Sequence, residues 1–106
     1  MSIQPTHTYR ILYISSYNYE FMSVPDQIQG FEDGLDSDLS VSIIHEFMDA
    51  KNYYRPADIK EFYRYLSYRL DNTSPFDLVV LSDDTALHFG LNYANQLFPD
   101  TPVVFM

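Results

Sequence analysis

Apolar and polar positions alternate along this chain with two different periods, and the change from one to the other marks each element. The clearest change lies in the stretch Phe76-Asp77-Leu78-Val79-Val80-Leu81-Ser82-Asp83-Asp84-Thr85-Ala86-Leu87. Its first half is a near-continuous apolar run between Pro75 and Ser82, the pattern of a strand covered on both faces. From Ala86 onward Leu87, Leu91, Ala94 and Phe98 fall at i, i+4, i+7 and i+11, which predicts a helix with those residues inward. Arg10 to Ser15 predicts a first central strand. Val24, Ile28, Phe31 and Leu35 predict a helix, with Ser23 and Asp26 as a capping box and Pro25 in the first turn. Gly30 and Gly34 within it point to close packing on the sheet, or to a carboxyl-terminal cap at Gly34.

Val41 to Met48 alternates, with Val41, Ile43, His45 and Phe47 on one face and Ile44 on the other, as an edge strand does. Pro56 opens a helix whose apolar face is Ile59, Phe62, Tyr63, Leu66 and Leu70, with Lys60, Glu61, Arg64 and Asp71 toward water. Asn72-Thr73-Ser74-Pro75 closes it. Pro99 to Pro102 turns into a last strand, Val103-Val104-Phe105-Met106. The order is β-α-β-α-β-α-β with short connections. Right-handed crossovers turn such a chain into a three-layer α/β/α fold, Rossmann-like or flavodoxin-like, with a parallel sheet of order 2-1-3-4. Ligands bind such sheets at the carboxyl ends of the strands, where the strand order reverses. Ser15, Ser16 and Tyr17 are therefore expected beside Ser82, Asp83 and Asp84.

Composition narrows the partners. Six Lys and Arg against 15 Asp and Glu leave a net charge of −9 in 106 residues. That opposes a nucleic-acid backbone, which needs a basic patch, and an anionic membrane surface. The absence of cysteine removes disulfides, thiolate catalysis and cysteine zinc sites. Met1 to Thr8 lacks the layout of a signal peptide. No apolar run approaches the roughly 20 residues that span a bilayer. The apolar final strand suggests a piece of a longer protein, since such an element is usually covered or continued.

Two adjacent aspartates at a helix start invite two roles. One caps the helix; the other faces a ligand amine or hydroxyl. Ser16 and Tyr17 occupy the matching corner of the first strand, where a hydroxyl and backbone N–H groups suit an anionic group as well as an ordinary turn. The loop holds no glycine, so neither the P-loop nor the dinucleotide fingerprint is present. A receiver domain would carry acidic residues after the first strand, where this chain has Ser15-Ser16-Tyr17. The aromatic loops, Tyr17, Tyr19 and Phe21 with Tyr53 and Tyr54, suit a cleft or an interface. His7, His45 and His88 show no ligand spacing, and no nucleophile sits beside a base. Neither a metal nor a cofactor is expected, and no enzymatic activity. Asn72-Thr73-Ser74 matches a glycosylation acceptor only in form.

Four ordered stretches carry a resemblance: Ser16-Tyr17 with Gly30-Phe31; Phe47-Met48-Asp49-Ala50-Lys51; Phe76 to Leu87; and Leu97-Phe98-Pro99 with Pro102-Val103-Val104-Phe105. Together they resemble the ABC-transporter substrate-binding-like sensor domains of bacterial histidine kinases and diguanylate cyclases, relatives of type I periplasmic binding proteins. The resemblance implies the first of two α/β lobes that close around a small organic ligand such as an amino acid or its relatives. It implies an extracytoplasmic position in a membrane-anchored protein, with closure as the signal. Ser16, Tyr17, Asp83 and Asp84 would line the site, with Asp49 beside them. Ala50 stands where the family often has threonine or serine. A homodimerisation module without its own ligand, and the binding component of a transporter, are the alternatives.

Overall fold

The computed structural model describes residues 8–19, 24–35 and 40–106. Strands β1 (Thr8–Ser15), β2 (Ser40–Phe47), β3 (Leu78–Ser82) and β4 (Val103–Phe105) alternate with helices α1 (Val24–Asp33), α2 (Pro56–Asp71) and α3 (Asp84–Leu97). The sheet is parallel throughout, in the order β2-β1-β3-β4. This is the expected three-layer fold. Ile11 to Ile14 and Val79 to Leu81 are buried because their two central strands are covered on both faces. Leu12, Ile14, Val79 and Leu81 face Leu66 of α2 and Ala86 and Phe89 of α3. Ile11, Tyr13 and Val80 face Val24 and Ile28 of α1 on the opposite side.

The edge strand β2 follows its alternation. Val41, Ile43 and Phe47 pack with the α1 layer, and Ile44 with the α2 layer. Glu46 shares the Ile44 side and is buried, a position where a carboxylate needs partners. Tyr65 Oη donates to Glu46 Oε2 at 2.8 Å, and Arg69 Nη1 donates to Tyr65 Oη at 3.0 Å. Arg69 Nη2 also lies 3.6 Å from Glu46. This clip pins α2 to the sheet edge.

The inward face of α3 agrees with the expected one in part: Ala94 packs on the core, and Phe98, just past the helix end, is buried there. Ala86, Phe89 and Gly90 are its buried residues, whereas Leu91 is 68% exposed. The small residues form the seam because the helix lies close to β3. A Cβ on Gly90 would collide with Leu81 Cδ1, so any larger residue there requires the buried Leu81 side chain to shift. Leu91 and the exposed Val104, Phe105 and Met106 leave apolar surface beside β4.

The close packing expected of Gly30 is also absent. Among the described residues nothing lies within 4 Å of the place its Cβ would take, because it sits on the water side of the helix turn that buries Ile28. Gly34 does end α1: its N–H reaches the carbonyls of Gly30 and Phe31 at 3.2 Å each, without a positive φ. The capping residue expected at Ser23 lies outside the described residues, as does Phe21. Gly30→Ala is therefore expected to raise stability by roughly 0.5–1 kcal/mol through helix propensity alone. A denaturant midpoint that falls instead would show a hidden neighbour.

Burial raises the hydroxyl pKa of Tyr13, opposed in part by a hydrogen bond with Ser82. Tyr65 is raised as well, first by burial and then by the Glu46 carboxylate. A phenol raised above its ordinary value near 10 favours the folded state while it stays protonated. That contribution is present below pH ~10 and is lost as pH climbs through the raised values. The melting temperature is expected to decline steeply above pH ~10, and Tyr13→Phe to soften that decline. An equally steep decline in Tyr13→Phe would assign the alkaline loss elsewhere.

Candidate functional site

Register brings the strand ends to one level. Ser15 pairs with Phe47 of β2 and with Ser82 of β3, so the three following loops leave the sheet from a common rim. Hydrogen bonds lock the loops together there. Ser16 N–H donates to Ser82 O at 3.0 Å, Met48 N–H to Ser15 O at 2.9 Å, and Ala50 N–H to Ser16 O at 2.8 Å. The serine-tyrosine corner, the Asp49 loop and the paired aspartates thus form one wall.

The five residues expected at the site divide in two. Ser16 is a strut. Its side chain is 1% exposed; Oγ donates to Ser82 O at 2.7 Å and accepts from the Ala86 N–H at 2.8 Å. The second of these satisfies an amide in the first turn of α3 from a different strand. The other four lie at the surface of the rim. Tyr17, Asp49 and Asp83 are partly buried and Asp84 is exposed.

Asp83 and Asp49 are also the non-glycine residues with positive φ among those described, at 74° and 54°. With ψ at 173°, Asp83 occupies a region that is nearly glycine-only. It is the N-cap of α3, yet its bond differs from the usual one. Oδ1 accepts from the N–H of the next residue, Asp84, at 3.1 Å, while Ser16 serves Ala86. Asp83 Oδ2 lies 3.5 Å from Gln27 Nε2 of α1, and Ser82 Oγ lies 3.4 Å from Gln27 Oε1. Asp49 is held by two loops: Asn52 Nδ2 of its own loop lies 3.2 Å from each of its carboxylate oxygens, and Asn18 Nδ2 of the loop after β1 lies 3.4 Å from Oδ1.

Tyr17 joins the corners electrostatically. Burial raises its pKa first, and the charges of Asp83 and Asp84 raise it further. Its hydroxyl is a neutral donor at physiological pH, and Lys51 Nζ stands 5.0 Å from the ring centroid. No family model, curated protein or solved structure matches the chain. The chemistry therefore rests on the geometry alone. Three carboxylates on one rim supply mostly acceptors, which suit a ligand presenting N–H or O–H donors. Among the described residues no three His, Asp or Glu side chains converge as metal ligands.

Gln27, Asn18 and Lys51 join the site without having been singled out in the sequence. A glutamine in the first turn of a helix has no distinguishing spacing, and only the crossover from β1 puts it over Ser82. Of the aromatic loop residues, Tyr19, Tyr53 and Tyr54 are all largely exposed, and Tyr19 meets Phe47 edge-on with ring centroids 6.4 Å apart. No described helix is long and apolar enough to cross a membrane.

Proposed function

We propose that this chain is the first lobe of a two-lobed extracytoplasmic sensor, in the manner of the bacterial sensor domains it resembles. A small organic ligand bearing an amine or hydroxyl sits on the rim between the two lobes, and closure passes the signal to a kinase or cyclase. The observation that carries this reading is the convergence of Tyr17, Asp49 and Asp83 at one level of the sheet, with both aspartates held at positive φ. Strained backbone at a strand end is found where a side chain must be aimed at a ligand.

Calorimetric titration of the two-lobed protein with amino acids and other small amines tests it. Asp83→Asn and Tyr17→Phe are each expected to weaken the bound class about tenfold or more, since each removes a contact made to a charged or polar group. If both variants keep every affinity of the parent, the rim is not the ligand site.

A further inference from the structure

We propose a second ligand site, for a small organic carboxylate, in the hollow between the carboxyl-terminal half of α2 and the β1–β2 part of the sheet. The hollow measures about 320 Å³, within the range of small-molecule sites. Leu12, Ile44, Leu66 and Leu70 form apolar walls, and Arg10 and Arg69 both line it. Two of the six basic residues in a chain of charge −9 thus meet in one cavity.

Arg10 is already oriented. Its Nη2 donates to Thr73 Oγ1 at 3.0 Å and to Ser74 O at 3.5 Å, and its Cζ stands 4.9 Å from the Phe76 ring centroid. These contacts fix the guanidinium plane, and among the described residues Nε is buried without an acceptor. A guanidinium stays charged and carries five donors in a planar fork that matches a carboxylate. An entering carboxylate gains from the Arg10 charge at the cavity wall rather than from Nε, which has no accessible surface. Arg69, at 3.6 Å from Glu46, offsets that buried carboxylate, which would otherwise repel an anion. Asp77 Oδ2 also accepts from the Arg10 backbone N–H at 2.8 Å, so Glu46 and Asp77 largely balance the two arginines, which favours a monoanion over a phosphate. The leucine and isoleucine walls call for an apolar body, and the two arginines reject an amine. The site is distinct from the rim and does not depend on the sensor reading.

The test is an amide chemical-shift titration of the chain with sodium benzoate, with benzamide as its neutral isostere. Benzoate is expected to give saturable shifts at Leu70–Thr73 and Arg10–Leu12, with benzamide about tenfold weaker because it lacks the charge-assisted bond. Arg10→Met should weaken benzoate by a similar factor. Ile44→Phe, which leaves both arginines in place, should abolish saturation by filling the hollow, with unchanged circular dichroism as the control for folding. Absent or non-saturable shifts at those amides, a response confined to Tyr17 and Asp83, or equal binding of benzamide would each overturn the proposal. So would full binding by a folded Ile44→Phe protein.

Discussion

Ser16→Ala is expected to destabilise the fold by about 2–3 kcal/mol, more than a typical serine replacement does. The loss has two parts. The first is the hydroxyl's bond to Ser82 O; that carbonyl keeps the Ser16 N–H at 3.0 Å, so it is not orphaned. The second is larger. Ala86 is fully buried, and its N–H loses the acceptor that stood at 2.8 Å. A buried donor without a partner carries its whole desolvation penalty, about 1–3 kcal/mol. Water cannot easily replace it, since Ser16 itself is buried.

Chemical denaturation measures this directly, and Asp84→Asn is the control. Asp84 is exposed at the first residue of α3 and should change stability by about 0.5 kcal/mol or less, from the helix dipole alone. A Ser16→Ala protein as stable as the parent would mean that α3 finds another cap. The rim would then not be locked by β1.

How far the sequence discloses this arrangement depends on the length scale of each signal. The central strands, the edge strand and α2 are legible because burial on both faces, on one face, or on a helical stripe each leaves its own period. Ile59, Phe62, Tyr63, Leu66 and Leu70 all pack on the core as their spacing predicts. Rotation about α3 is legible only in part: Ala94 and Phe98 lie inward as their spacing predicts, but Ala86, Phe89 and Gly90 carry the buried seam and the exposed Leu91 mimics a core position. The rim is legible as a place, because strand ends at a reversal of strand order meet whatever their sequence. The division of labour within it is not. Nothing local says that Ser16 holds an amide 70 residues away while Tyr17, its neighbour, packs part-buried against the core on the α1 side. Glu46 reads as one polar position on an edge strand; its burial follows only from Tyr65 and Arg69 folding over it.

Asp83 is where stability and function are expected to oppose each other. Its φ of 74° and ψ of 173° belong to a region that costs a side-chain-bearing residue about 1–3 kcal/mol and glycine almost nothing. Asp83→Gly relieves that strain. It also loses the bond from the Asp84 N–H, but glycine at an N-cap falls only a few tenths of a kcal/mol below aspartate. The net expectation is a gain of about 1 kcal/mol. Asp83→Ala keeps the strain and loses the cap, for a net loss of about 1 kcal/mol. The two variants should therefore lie about 2 kcal/mol apart, although both delete the same carboxylate. If binding runs through that carboxylate, both lose affinity in the two-lobed protein, and the more stable variant binds no better than the less stable one. Equal stabilities for glycine and alanine would show that the backbone at this corner is not strained, and the strained aspartate would no longer mark the rim as a ligand site.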